Sequence, residues 1–350
     1  MKREETLPVA LLFGGAGCEH EVSCRSATYA ADILQKSGVS LLPVGIGRDG
    51  AWRLCQNTAA VPGDAPPTFP VRLGEQSGFL SGGRVMPVRC ALPILHGDRG
   101  EDGEIQGALG AAGIPFAGCD VFAGAVGCDK IATKILAASA GIAVVPFVHT
   151  DLSDPEQAAD LAESSLDYPM FVKPARCGSS LGAAPAKDRA ALMRAYPEAR
   201  RYGRVLIERR IDLVCEPEVA YLDGVGFSSP GRVRTTAGAT YYSFEEKYGK
   251  NSHSVADLGE DLPEDLSARC KSAAAKIVDL LGVRDLARVD FFLDRRGVLY
   301  FNEINTLPGM TGISLYPRLV ARMGVSPERL FARLLSLAEE RKRQDGDRGI

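Results

Sequence analysis

The sequence predicts an α/β protein of more than one domain, and three observations lead there. The chain has 350 residues, enough for about two to three domains. Its opening reads as an apolar run, a helical stretch and a second apolar run, the β–loop–α–β start of a parallel sheet. Much later, residues 286–294 and 298–304 form two apolar-rich strands around Arg295-Arg296-Gly297, a hairpin in a separate region.

The bulk numbers fit that class and exclude others. The chain is 45% hydrophobic and 24% charged, an ordinary globular balance. Its net charge of -3 gives no reason to expect nucleic-acid binding. No stretch approaches the roughly 20 apolar residues of a membrane span. The start, MKREETLPVALLF, reads as a first buried strand rather than a signal peptide, because Gly14-Gly15 and charged Glu19-His20-Glu21 follow at once. Nine scattered cysteines contain no CxxC pair, which predicts free thiols in a reducing compartment. The four histidines have no metal-like spacing.

In chain order, residues 8–13 predict a strand stopped by Gly14-Gly15, 21–36 a helix and 40–46 a strand. Residues 47–50 predict a turn, and 56–86, rich in Gly and Pro, irregular surface. A strand at 88–95 and a helix at 101–112 complete a first α/β domain, 1–122. The central domain, 123–212, should hold one helix at 123–140 carrying Lys130 and Lys134, then a strand at 142–150 and a helix at 154–165. A strand at 169–173, a loop at 174–182 and a strand at 205–211 follow. The third domain, 213–340, begins with strands at 216–222 and 231–236. Residues 237–261 lack periodicity, as functional or mobile segments do. An amphipathic helix at 263–281 ended by Gly282, the hairpin, and helices from about 313 and 326 close the domain. Residues 341–350 read as a polar, fraying tail.

Five segments could carry chemistry. In RVDFFLD and VLYFNEIN, Glu303 and Asn305 share one strand face and Asp290 can lie opposite them. Three hard oxygen donors suit magnesium, and the alternative is a solvent-facing acidic hairpin. In FVKPARCGSSLGA, Lys173 ends a strand and Gly178, Ser179, Ser180 and Gly182 form either a phosphate-cradling loop or a plain turn. No Gly-Lys-Ser/Thr follows, so it is not a Walker loop. In LIERRIDLVCEPEV, Glu208 and Glu216 could accept from an adenine amino group or a ribose hydroxyl. In GGAGCEHEVSCRSA, Glu19 or Glu21 either favours the helix dipole or holds a substrate ammonium. His96 stands at the C-terminal end of a strand, where open α/β sheets bind ligands. In FEEKYGKNSHS, Lys247 and Tyr248 could close over phosphate and exclude water, or simply be solvated.

In order, LFGG with EHEVS, LHGDRGEDGEIQG, GIPFAGCD with a following DK, FVKP with GSS, EEKY, ARVDFFLD and FNEINTLPGMTGISLYP resemble the D-alanine–D-alanine ligase family. The likeness spans about residues 7–338. It implies a three-domain ATP-grasp ligase with a Rossmann-like parallel-sheet N-terminal domain, and ATP between the second and third domains. It further implies two Mg2+ (or Mn2+) ions per subunit, a homodimer, cytoplasmic localisation, and no nucleic-acid or membrane partner. By motif position, Lys130, Lys173, Ser180 and Lys247 would contact ATP phosphates. Glu208, Arg209 and Ile211 would line the adenine site, and Glu216 would hold the ribose. Asp290, Glu303 and Asn305 would hold the metals. Glu19 would bind the first D-alanine's ammonium with His96 near it, linked by hydrogen bonds to Ser179 and Tyr248. Arg288 and the backbone at Gly309 would stabilise the oxyanion, and Ser314 and Leu315 would receive the second carboxylate.

The implied activity is ATP-dependent synthesis of D-alanyl-D-alanine through a D-alanyl phosphate, for peptidoglycan precursors. PARCGSS and AGCD are also similar to the vancomycin-resistance branch, so D-serine or D-lactate is the alternative acceptor. Tyr248 favours D-alanine. A biotin-dependent carboxylase would need an MKM-like biotinyl segment, which is missing. A non-catalytic nucleotide-binding regulator would lack the metal ligands, which are present.

Overall fold

The computed structural model describes residues 7–235 and 254–347. The element order begins β1 (Val9–Gly14), α1 (His20–Lys36), β2 (Leu41–Ile46), β3 (Trp52–Leu54), β4 (Phe69–Leu73), β5 (Gln76–Ser81), β6 (Arg84–Pro87), β7 (Cys90–Pro93) and α2 (Glu104–Ala111). The first sheet has the order β3-β2-β1-β7. β1 pairs in parallel with β2 and β7, and β3 joins antiparallel at the edge. All six residues of β1 are buried, so its sequence is an unbroken apolar run rather than an alternating one. Small Ser23, Ala27, Ala30 and Ala31 on the inner face of α1 allow it to lie close on this sheet.

Residues 56–86 are not irregular throughout, as expected from their Gly and Pro content. β4, β5 and β6 form a three-stranded antiparallel sheet. Gly74, Gly82 and Gly83 take positive φ at its turns, and Pro70 and Pro87 sit on its outer strands. The breakers therefore mark the hairpin turns and edges of a small sheet.

The chain continues through α3 (Val121–Cys128), α4 (Lys130–Ser139), β8 (Phe147–Thr150), α5 (Pro155–Glu163), β9 (Met170–Pro174), β10 (Ala184–Ala186), α6 (Arg189–Arg200) and β11 (Val205–Arg209). The helix expected over 123–140 is two helices. The Asp129 carboxylate accepts from the N–H groups of Ile131 and Ala132, which caps a new helix and breaks the old one. Lys130 and Lys134 consequently project from the first turns of α4, four residues apart on one face. The strand expected over 142–150 is confined to β8. Residues before it instead run beside a strand of another sheet, where Phe301 N–H donates to Ala143 carbonyl at 2.8 Å. β8 to β11 form an antiparallel sheet of order β10-β9-β11-β8.

The remaining elements are β12 (Leu213–Cys215), β13 (Pro217–Leu222), β14 (Gly226–Phe227), β15 (Gly231–Thr235), β16 (Ser254–Asp257), α7 (Glu264–Leu281), β17 (Leu286–Asp294), β18 (Leu299–Asn305), α8 (Leu315–Arg322) and α9 (Pro327–Asp347). They build a sheet of order β12-β17-β13-β15-β16, with β18 on β17 and β14 on β13. Gly282 at φ 63 ends α7, as its sequence position predicts. α9 runs through most of the stretch read as a polar tail. Its Leu330, Phe331, Leu334 and Leu335 share one hydrophobic core with β1, α1 and β7. Arg341 anchors the helix by donating to Gly118 carbonyl at 2.7 Å.

Candidate active site

The site starts from strand register. β17 pairs antiparallel with both β13 and β18, so Glu218, Asp290 and Glu303 stand in one row across three strands. Two residues along, Ala220, Arg288 and Asn305 form a second row on the same face. A register shift between Asp290 and Phe291 bulges β17 beside the row. Arg288 bridges the carboxylates. Its Nε donates to Asp290 Oδ1 and its Nη2 to Asp290 Oδ2, both at 2.7 Å. Glu218 Oε2 lies 2.7 Å from Arg288 Nε on the other side. Asn305 Nδ2 donates to Asp290 Oδ2 at 3.0 Å, which turns its amide oxygen the other way. Glu303 pairs with Lys130 of α4 at 3.0 Å. Burial works against the Lys130 charge, but Glu303 outweighs it and holds the ammonium above its usual range.

The donor set fits a hard divalent ion. Among the described residues no cluster of three His, Cys, Asp or Glu side chains is arranged to bind metal. The candidate set is instead two carboxylates and an amide oxygen, as magnesium accepts when phosphate completes its shell. Asp290 and Glu303 stand opposite each other on β17 and β18 and supply the anionic oxygens that a hard divalent ion takes.

A second cluster forms where α1 meets the loop after β9. Ser179 Oγ donates to Glu19 Oε1 at 2.5 Å. Ser179 and Ser180 take φ of 55° and 58°, the left-handed region that most side chains avoid. Glycines flank them at 178 and 182 in the same loop. Glu19 is packed closely. A Cβ on Gly97 would collide with its Oε2, and one on Gly178 would lie 2.9 Å from it. Glu21 instead is exposed and pairs with Arg48, whereas Glu19 lines the cavity described below.

His96 is buried and uses both ring nitrogens. Nδ1 lies 2.9 Å from Leu307 carbonyl and must donate to it, so Nε2 accepts from Ser26 Oγ at 3.0 Å. That is a neutral tautomer, and burial pushes the His96 pKa down in agreement. Glu101 clamps the same loop. It accepts from Leu307 N–H at 2.7 Å and from Gly97 N–H at 2.8 Å. Burial, then the nearby Glu19 charge, push its carboxyl up to about 8.

One cavity of about 100 Å³ collects these groups, closer to a small amino acid than to a drug-sized ligand. Glu19 precedes α1 and His96 follows β7, Lys130 begins α4 and Ser179 follows β9, and Arg288 lies on β17, Glu303 and Asn305 on β18, and Gly309 beyond it. Asp290 lies directly behind Arg288. Ser314 stands at the N-cap position of α8 without a capping side-chain hydrogen bond, its Oγ lies 2.7 Å from Thr311 Oγ1, and Leu315 begins that helix.

The remaining candidates lie on or beside β9, β11 and β13. Glu208 on β11 is buried with one oxygen 2.7 Å from Lys134 and the other 2.7 Å from Lys173. Lys173 also donates to Asn302 Oδ1 at 3.0 Å and lies over the Phe292 ring of β17. Arg209 ends β11, Ile211 follows it, and Glu216 immediately precedes β13. Ser180 stands next to Ser179 in the loop. Lys247 and Tyr248 lie outside the described residues.

Sequence reasoning missed three charged groups among the described residues of this region. Lys134 is fully buried against Glu208, and its only signal was a spacing of four from Lys130. Glu218 was passed over for Glu216, although the two share a strand face. Glu101 was read as a helix start. The LHGDRGEDG motif contained it, but its two backbone partners come from segments far apart in sequence.

Comparison with known proteins gives the family. A family model described as D-ala D-ala ligase N-terminus matches residues 8–119, and one described as D-ala D-ala ligase C-terminus matches residues 136–336. The chain belongs to the D-alanine–D-alanine ligase family. A D-alanine–D-alanine ligase of Treponema pallidum is 36% identical over 351 residues, covering 95% of this chain and 88% of the relative. The solved D-alanine–D-alanine ligase from Coxiella burnetii superposes with a TM-score of 0.83 at 28% identity, covering 98% of this chain and 97% of that one. The VanG D-Ala:D-Ser ligase from Enterococcus faecalis superposes with a TM-score of 0.84 at 30% identity, covering 95% of this chain and all of that one. The three-domain architecture is therefore the ATP-grasp fold of the D-alanine–D-alanine ligase family.

Proposed function

We propose that the chain uses ATP to join two D-alanine molecules into D-alanyl-D-alanine, the dipeptide of peptidoglycan precursors. The observation that carries this reading is the small cavity where an acidic ammonium site, a Gly-Ser loop, a buried arginine and a hard-oxygen donor set converge from three domains.

A carboxylate is a poor electrophile, because oxide would have to leave. The first D-alanine's carboxylate oxygen attacks the γ-phosphorus of ATP, ADP departs, and the acyl carbon of the D-alanyl phosphate now carries phosphate as its leaving group. The neutral amine of the second D-alanine attacks that carbon. Negative charge develops on the tetrahedral oxygen, the attacking nitrogen gives up a proton, and collapse expels phosphate and leaves the amide.

Glu19, fixed by Ser179, holds the first ammonium. Neutral His96 and Glu101 hold the Leu307 segment, and with it the Gly309 backbone, at the acyl carbon. Arg288, gripped by Glu218 and Asp290, faces the developing oxyanion. Such a donor is worth about 3–4 kcal/mol in comparable sites. Ser314 and Leu315 present the N-terminal end of α8 to the acceptor's carboxylate. Lys130, Lys173 and Ser180 serve the phosphates, and by the family resemblance Lys247 would serve them too and Tyr248 the Glu19–Ser179 link. Glu208, Arg209 and Ile211 serve the adenine, and Glu216 the ribose. Glu208 retains lone pairs for this beside its two lysines. Asp290, Glu303 and Asn305 would hold two divalent ions, Mg2+ or Mn2+, which supply charge neutralisation for the triphosphate. The family resemblance also supports a homodimer working in the cytoplasm. No described helix is long and apolar enough to cross a membrane.

Two measurements bear on this reading. In an acceptor competition with equal D-alanine, D-serine and D-lactate, D-alanyl-D-alanine is expected to dominate the products identified by mass. An excess of a mixed D-alanyl-D-serine product would overturn the acceptor assignment. Glu218→Gln should lower kcat by about 10²-fold, the scale of a misplaced catalytic group, with KM for ATP nearly unchanged. Glu218→Asp should recover part of it. A Gln variant with raised KM and normal kcat would remove Glu218 from the positioning of Arg288.

A further inference from the structure

Three lysines hold three successive residues of β18. Lys134 Nζ donates to Phe301 carbonyl at 3.3 Å, Lys173 Nζ donates to Asn302 Oδ1 at 3.0 Å, and Lys130 pairs with Glu303 at 3.0 Å. Two of the three also meet one carboxylate. Lys134 lies 2.7 Å from Glu208 Oε1, and Lys173 lies 2.7 Å from Glu208 Oε2. Lys130 lines the cavity, and the proposed reaction gives Lys173 to the phosphates. Lys134 has no part in that reaction, although its side chain is 0% exposed against 12% for Lys130 and 10% for Lys173. An ammonium buried so completely touches no ligand in this geometry, so what it does must pass through its partners.

The two lysines on Glu208 differ in how free they are to leave it. Lys134 stands in α4 between Glu208 of β11 and the backbone of β18, with no opening to solvent. Lys173 lies near the end of β9, just before the loop that holds Gly178 and Ser179, and its ammonium is 5.9 Å from the centre of the Phe292 ring. Its donors are directed at Glu208 and Asn302. To serve a triphosphate it has to give up hold on that carboxylate. Glu208 is 3% exposed, and a buried carboxylate left without a cation is strongly disfavoured. Lys134 is the cation that stays. Burial pulls Lys134 down to about 8 with Glu208 opposing, so the ammonium is still charged at neutral pH.

We propose that Lys134 is a positioning residue for ATP: the resident counter-ion of Glu208, which keeps that carboxylate in place for the base while Lys173 transfers to the triphosphate. The inference rests on the proposed roles of Lys173 at the phosphates and Glu208 at the adenine. Lys134 acts through Glu208 and does not touch the nucleotide. It thereby couples the two ends of ATP. Without Lys134, Lys173 has to serve either Glu208 or the phosphates, and one end of ATP is held poorly whichever it serves. A nucleoside makes no such demand. With adenosine bound, Lys173 remains on Glu208 and the base is received as in the parent.

The test measures the affinity of the full-length protein for ATP with magnesium and for adenosine, both by calorimetry. Lys134→Met leaves Glu208 paired with Lys173, so the variant should fold. Lys134→Gln keeps a donor for the Phe301 carbonyl but carries no charge. Both should bind ATP more weakly by about tenfold or more, the scale of a hydrogen bond to a charged group, and adenosine within about twofold of the parent. KM for ATP should rise in step while KM for D-alanine holds. Equal weakening of ATP and adenosine would make Lys134 a support of the pocket alone and overturn the inference, and so would unchanged ATP affinity. A loss in Lys134→Met that Lys134→Gln does not share would trace the effect to the Phe301 contact and overturn the counter-ion role. Lys173→Met separates these results from the proposed reaction, since it should weaken ATP and spare adenosine. A Lys173→Met protein that binds ATP as the parent does would overturn the phosphate role of Lys173 itself, and the transfer with it.

Discussion

Replacing Asp290 by Asn, or Glu303 by Gln, is expected to slow D-alanine-dependent phosphate release by on the order of 10²–10³-fold, the loss that follows removal of one charge-stabilising group from a preorganised site. Both substitutions preserve shape. In Asp290→Asn the new amide oxygen would still accept from Arg288, and in Glu303→Gln it could still accept from Lys130, so the β17–β18 hairpin should keep its register. What changes is charge. Each substitution removes one negative charge and one anionic oxygen from the row that Asp290 and Glu303 share, and so weakens the attraction for a divalent ion. Half-saturation by Mg2+ should accordingly move to higher concentration in both variants, together with the fall in kcat. Thermal unfolding without nucleotide checks that each variant is folded. A variant that is folded and works at the parent's rate would mean that the ion is not held by this row, and the roles assigned to Asp290, Glu303 and Asn305 would fail together.

The same residues show which parts of the molecule could be read from the sequence. Asp290, Glu303 and Asn305 were legible because a hairpin imposes its own register. A strand of period two and a short turn determine which side chains share a face, with no knowledge of the rest of the fold. Glu218 joins that row through β13, whose pairing with β17 spans a long stretch of chain, and nothing local announces it. The break at Asp129 was hidden for a related reason. The apolar pattern continues across it, and only the capping geometry shows that the carboxylate serves a new helix. In residues 56–86, glycine and proline were read as marks of irregularity when they mark the turns and edges of a small sheet. His96 was recognised by its place at a strand end, but its role depends on Ser26 and Leu307, which only the tertiary fold brings to its two nitrogens.

Glu208 is the position where a single change should cost most stability. Its two oxygens each meet an ammonium group, Lys134 on one side and Lys173 on the other, and Lys134 has no exposed surface. Burial opposes ionisation of the carboxyl, yet the two lysines outweigh it and hold the Glu208 pKa at about 2 against an ordinary 4.5. Burial also pulls Lys134 down to about 8, with Glu208 acting against that pull. Glu208→Gln would leave two ammonium groups facing an amide, and breaking a buried pair from one side costs about 3–5 kcal/mol. The carboxyl's depression corresponds to roughly 3 kcal/mol, on the same scale. Because the folded value lies below the unfolded one, this stabilisation is complete above about pH 4.5 and fades as the pH falls through about 2. Urea denaturation should therefore show a large gap between the parent and Glu208→Gln at pH 7, and a narrowing gap as the pH drops below 4.5. The double variant Glu208→Gln with Lys134→Met should recover much of the loss, since it removes the buried ammonium along with its partner. A gap that persisted unchanged at low pH, or a double variant no more stable than the single one, would show that Glu208 acts through packing rather than through its charge.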